Sequence, residues 1–172
     1  MGDTKKLLRL WARPTAGAEL STIATALRVV ADTNATTGWV AANSCAMSSQ
    51  NTVKDNSSYA ILAENNTTPG ASGKIAYNLK TLLSLTEGQR VLVNIRARHV
   101  GVGGDWRLAL NNANSAVSPL MVIGSLTSTE TDFKTYIAAI VVPSVLYLVV
   151  HENNAGNNGG VYLDNMSVRA LR

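Results

Sequence analysis

One cysteine, one phenylalanine and two histidines in 172 residues exclude several kinds of chemistry at the outset. With Cys45 alone there is no internal disulfide and no cysteine metal cluster, and the thiol reads as a small buried apolar group. Charged residues make up 15% of the chain, well under the roughly 25% of an ordinary soluble domain. Asn, Thr, Ser, Ala and Gly fill the gap, and the share of β-branched residues argues against disorder. The longest apolar segment, Tyr136–Val150, is broken at Pro143-Ser144 and is too short to span a bilayer. Residues 1–13 lack the apolar stretch of about 7–15 residues and the cleavage pattern of a secretory leader, so synthesis in a cytoplasm is expected. The N-x-S/T triplets at Asn34, Asn56, Asn65, Asn66 and Asn165 then carry no glycosylation meaning.

Catalytic signatures are missing too. There is no nucleophile elbow, zinc-binding HExxH or phosphate loop. His99 and His151 lie far apart, each at the end of an expected strand. The glycine-rich GVGGD at 101–105 sits between strands with no helix after it, which makes it a turn and not a nucleotide cradle. No two of the eleven acids stand out as a glycosidase pair. An enzyme is not expected.

What is present points to strands. The chain is 46% apolar and has the length of one domain with a substantial core. Net charge is +4, and most of it lies in residues 1–30, where Lys5, Lys6, Arg9, Arg13 and Arg28 face only Asp3 and Glu19. Such an arm fits contact with nucleic acid, a membrane or an acidic protein surface, or is simply a solvated basic leader. With no basic cluster beyond Lys5–Lys6, nucleic acid is not the expected partner. Residues 5–13 read as a short strand or arm, and 18–27 place Leu20, Ile23, Ala24 and Leu27 at helical spacing.

From residue 28 onward short apolar runs alternate with turn clusters: 32–38, 50–58, 64–73, 86–89, 101–105, 111–115, 128–132 and 152–160. These are rich in Asn, Gly, Asp and Pro, which tolerate positive φ or preset a turn. Many short strands so divided predict a sandwich or barrel. In Arg90–Arg98, Val91, Val93, Ile95 and Ala97 alternate with Leu92, Asn94, Arg96 and Arg98, the period of a half-buried strand. Trp106, Leu108 and Leu110 share one face. Phe133–Val142 and Val145–Val150 read as a hairpin or arch of central strands covered on both sides.

Three segments, in order, resemble the galactose-binding-like jelly rolls that include many carbohydrate-binding modules. They are ATTGWVAANSCAMS at 35–48, SSYAILAENN at 57–66 with GKIAYNLKTLLSLTEGQRVLVNIRAR at 73–98, and GGVYLDNMSVRAL at 159–171. The resemblance implies an all-β jelly-roll sandwich of about eight to ten antiparallel strands over residues 28–172, with residues 1–27 as an added docking or oligomerisation arm. Similar domains stand alone among the virion proteins of tailed phages. The implied role is a structural virion protein: a capsid decoration, head-fibre or tail-associated protein, homo-oligomeric, with capsid or tail proteins as partners. The alternative is a module that adheres to a host cell-surface glycan.

The resemblance also directs attention to particular residues. Asp164, read with Tyr162, Met166 and Val168 on the inward face of the closing strand, is a carboxylate in or beside the core. In the resembled family this position helps hold a structural calcium, with Asp32 and Asn34 as the companions here and backbone carbonyls completing the cage. Against calcium, the opening segment lacks the family's glutamate. The other reading is a carboxylate bonded to backbone N–H groups. For a glycan, Trp106 beside the glycine-rich loop is the candidate platform, with Asn111, Asn112 and Asn153 as amide donors. Core packing for Trp106 and ordinary turns for the asparagines are the competing readings, and Trp39 is expected in the core.

Overall fold

In the computed structural model, the described residues are 36–43, 45–55, 58–65, 73–153 and 159–171. The arm expected at 1–27, the helix at 18–27, and both Asp32 and Asn34 fall outside them. Among the described residues are ten strands: β1 (Trp39–Ala42), β2 (Cys45–Gln50), β3 (Ala60–Asn65), β4 (Lys74–Asn78), β5 (Arg90–His99), β6 (Trp106–Asn111), β7 (Met121–Leu126), β8 (Lys134–Val141), β9 (Tyr147–Glu152) and β10 (Gly159–Ala170). A single helical turn, α1 (Leu79–Leu82), follows β4. The Asn78 side chain starts that turn by accepting from the Thr81 N–H at 3.0 Å.

The strands form two five-stranded sheets. The first has the order β1-β4-β9-β6-β7 and the second β2-β3-β10-β5-β8. Every pairing is antiparallel. This is the jelly-roll sandwich predicted from the sequence, at the upper end of the expected strand number.

The core lies between the sheets. Along β5 the alternation holds throughout: Val91, Val93, Ile95, Ala97 and His99 are buried while Leu92, Asn94, Arg96 and Arg98 are only half-buried. From the first sheet Ile75, Tyr77, Trp106, Leu108, Leu110, Leu148 and Val150 meet them. Trp39 packs on Tyr77 with ring centroids 5.2 Å apart, so the opening tryptophan is a core residue as expected. Each such large side chain contributes about 1.5–3 kcal/mol when fully buried.

Two expectations need correction. β8 and β9 form an arch between the sheets, not a pair of central strands. β9 is central and covered on both sides, with Leu148, Val149 and Val150 all buried. β8 is an edge strand whose outer residues, Ile137 and Val141, are exposed. A continuous apolar run therefore marks burial on both faces only in β9.

The second correction concerns β10. Tyr162 does not share the inward face with Met166 and Val168. Val161 and Leu163 point inward, and the register shifts between Asp164 and Ser167. Asn165 sits there at φ 46°, and the extra residue of this β-bulge reverses the parity downstream. Met166 and Val168 thus return to the core, while Tyr162 and Asp164 belong to the outer face.

Candidate ligand-binding face

Cross-strand pairing lays the outer side chains of the second sheet out in rows. β5 contributes Leu92, Asn94, Arg96 and Arg98. Arg98 pairs with Tyr162, and Tyr162 in turn with Leu62, which pairs with Ser48. Phe133, just before β8, completes this row on the other side. The guanidinium carbon of Arg98 lies 5.9 Å from the Phe133 ring centroid and 5.4 Å from that of Tyr162. A cation between two aromatic rings is attracted by their electron-rich faces, which fixes a long side chain at the middle of the sheet.

The next row is closed by ion pairing. Arg96 pairs with Asp164 across the strands and with Thr135 on β8. Its guanidinium bonds Asp55 Oδ1 at 2.9 Å, forms a second contact with Asp55 Oδ2, and donates to Thr135 Oγ1 at 3.0 Å and to the Phe133 carbonyl at 3.1 Å. The β2–β3 loop brings Asp55 there. Gln50, ending β2, organises the loop by accepting from the N–H groups of Thr52 and Val53 at 2.9 and 2.8 Å. The Asp55 N–H then donates to Asp164 Oδ2 at 2.6 Å. One row further on, Asn94 lies between Ile137 and Ser167, with its Oδ1 buried and without a hydrogen-bond partner. The loop thus walls one side of a face that carries two rings and a clamped arginine, with exposed Thr135 and Ile137 along its edge.

Asp164 is buried, as expected, but on this outer face beneath the loop. Its Oδ2 faces an N–H donor, and the positive charge nearest the Asp55–Asp164 pair is a guanidinium. Among the described residues no group of three His, Cys, Asp or Glu side chains is placed to hold a metal, and the remaining residues of the calcium reading, Asp32 and Asn34, lie outside them.

The residues expected to bind sugar are not brought together. Trp106 is fully buried between the sheets, so no ligand reaches its ring. It is a core residue because Trp106 and Leu126 pair on the inward face of β6 and β7. Asn111 is buried and donates to the carbonyls of Ser115 and Val117 at 2.8 and 3.2 Å, which builds the turn after β6. Asn112 is exposed in that turn. Asn153 lies past the other end of β9, its N–H donating to the Asp105 carbonyl at 2.7 Å. Asn111 pairs with Tyr147 and Trp106 with Glu152, so these asparagines stand at opposite ends of a six-residue strand, roughly 17–20 Å apart. All of them belong to the first sheet. The residues that sequence reasoning missed, Arg98, Tyr162 and Phe133, belong to the second. The β5 alternation pointed Arg96 and Arg98 outward together, but the bulge hid Tyr162.

Among the described residues the first sheet is closed at its centre and exposes Val40 and Val122 at its edges. Ala76, Val149 and Ala109, facing away from the core, are each at most 1% exposed. Lys74 reaches from β4 to the Asn114 carbonyl at 2.8 Å, tying the β6–β7 loop over that side.

No protein-family model matches the sequence, and no curated protein matches it. The similarity is one of solved structures. The xylan-binding CBM22-1 domain of Paenibacillus barcinonensis Xyn10C superposes with a TM-score of 0.61 at 11% identity, covering 82% of this chain and 90% of that one. The C-terminal family 22 carbohydrate-binding module of Clostridium thermocellum Xyn10B gives 0.56 at 14% identity, over 80% and 87% of the two chains. The enzymatically active domain of bacteriophage CBA120 tailspike protein 4 gives 0.54 at 11% identity, over 80% of this chain but only 20% of that one. At these identities the likeness is one of fold, and the two-sheet domain described above is a carbohydrate-binding-module-like jelly roll.

Proposed function

We propose that this chain is a non-catalytic binding module that grips a polysaccharide on the outer face of the second sheet, along the Phe133–Arg98–Tyr162 row. The clamped row is the observation that carries this reading: flat apolar rings suit a pyranose face, and the guanidinium held between them suits its hydroxyls. That the similar solved structures include xylan-binding domains supports it. The test is affinity electrophoresis of the wild type and Tyr162→Ala against a panel of soluble polysaccharides, with circular dichroism as the control for folding. Tyr162→Ala is expected to weaken binding about tenfold or more while the spectrum stays unchanged. Wild type that is retarded by no polysaccharide ends this reading.

A second reading places the domain in a virion, as a decoration, head-fibre or tail-associated protein that docks through residues 1–27 and is homo-oligomeric. The likeness to a phage tailspike domain favours it, and so does the concentration of positive charge in the first thirty residues. The two readings are compatible, since a particle-bound module can hold a host surface glycan with gain from multivalency. Replacing Lys5, Lys6 and Arg9 by Gln is expected to abolish sedimentation with particles. A triple variant that still cosediments at the wild-type level removes the docking role of the arm.

A further inference from the structure

We infer that the polysaccharide is acidic, and that Arg98 takes the carboxylate of a uronic acid unit; this rests on the glycan reading above. Two arginines stand two residues apart on the same face of β5 and differ in how their donors are used. Arg96 is spent on Asp55, Thr135 and a backbone carbonyl. Arg98 makes one hydrogen bond, from Nε to the His99 carbonyl at 3.3 Å. Among the described residues no carboxylate lies within 4.0 Å of it: the ion pairs there are Lys80–Glu87, Arg96–Asp55 and Lys134–Glu130. Among the described residues its two Nη atoms have no hydrogen-bond partner.

Holding a guanidinium between two rings removes part of its hydration, and an ion pair would ordinarily offset that. Among the described residues no acid supplies one. The row Phe133–Arg98–Tyr162–Leu62–Ser48 contains no acid. Asp55 and Asp164 in the next row are occupied by Arg96 and an N–H donor. Glu64, opposite Gly160 on the far side of Tyr162, is not within ion-pair distance. What is left is a planar fork of donors, fixed in orientation by the rings. Such a fork matches a carboxylate bidentately, and a neutral sugar leaves its charge unmatched. The net charge of +4 draws a polyanion to the whole molecule, whereas the clamp discriminates at one position.

The experiment compares polygalacturonate, glucuronoxylan, alginate and hyaluronan with the same four polymers after reduction of their carboxyl groups. Binding to wild type, Arg98→Gln and Arg107→Gln is read by titration calorimetry at two salt concentrations. Arg107 lies on the first sheet and removes one charge elsewhere. We expect wild type to bind at least one uronate polymer and to lose about tenfold or more on its reduction. Arg98→Gln should lose a similar factor on the acidic form and nothing further on the reduced one, and Arg107→Gln should bind as wild type. Equal wild-type affinity for acidic and reduced polymers overturns the acidic-ligand inference and leaves the glycan reading standing. Binding by wild type to none of the eight polymers overturns this inference, and a wider neutral panel then decides the glycan reading. Equal losses in Arg98→Gln and Arg107→Gln mean unspecific attraction by net charge and overturn the site. The wild-type comparison of acidic and reduced polymer stands even if a variant fails to fold.

Discussion

Asn165 shows how one residue redirects a strand. Its φ of 46° lies in the left-handed region, which asparagine tolerates far better than a β-branched residue. The conformation makes the bulge that sends Tyr162 and Asp164 outward and returns Met166 and Val168 to the core. Asn165→Gly relieves the local strain and is expected to leave stability within about 0.5 kcal/mol. Asn165→Val forces a branched side chain into positive φ at a cost of about 1–2 kcal/mol. Urea unfolding of the three proteins checks this, and a valine variant as stable as the glycine one would show that the bulge does not depend on this conformation. Gly124 has a comparable role for a different reason. A Cβ there would lie 2.1 Å from Cδ1 of Tyr136, so only glycine lets that ring lie against the β7 backbone, where burial pushes its hydroxyl up to about 12.

Among the elements, β5 was legible because nothing interrupts its period of two: the core faces one way and the arginines the other along ten residues. β10 was misread for the opposite reason. Alternation is a local rule, and one inserted residue reverses it without changing composition. The β8–β9 segment was legible as two strands around Pro143, but the order of strands in a sheet is set by pairing partners distant in sequence. Its apolar run therefore could not say which strand would be central. Trp106 failed as a site residue because a neighbouring glycine-rich loop signals a turn, and a turn does not say which side of the strand meets the opposing sheet. The candidate face was the least legible part. Arg98 and Tyr162 come from two strands and Phe133 from the approach to a third, and only the sheet order brings them together. The β2–β3 loop, read correctly as a turn cluster, gave no sign that Asp55 would fold back onto Asp164 and Arg96.

For the whole molecule, the two outer faces differ in how their side chains are covered. Among the described residues the second sheet leaves the Nη donors of Arg98 without a partner, while the first buries the outward Ala76, Val149 and Ala109 at its centre and exposes Val40 and Val122 at its edges. His151 is part of that closed side, only 6% exposed, in a row between Lys74 on β4 and Arg107 on β6. Burial holds its pKa below the ordinary value near 6.5, and the charges of Arg107 and Lys74 act in the same direction. The unfolded chain therefore takes up this proton at a higher pH than the folded one. Stability from this group is complete above about pH 6.5 and is lost as the pH falls through and below that value, by at most about 1.4 kcal/mol per pH unit. Glu130 acts in a separate, more acidic window: its hydrogen bond with Lys134 lowers its pKa from 4.5, so its contribution is lost only below that value. Melting temperatures of wild type and His151→Gln at pH 7.5, 6.5 and 5.5 isolate the histidine. The wild-type curve is expected to fall across this range more steeply than that of the variant, with the gap closing toward acid. Curves that run parallel would mean that His151 titrates alike in the folded and unfolded chains, and that the closed face admits a charge that its packing and its two cationic neighbours should exclude.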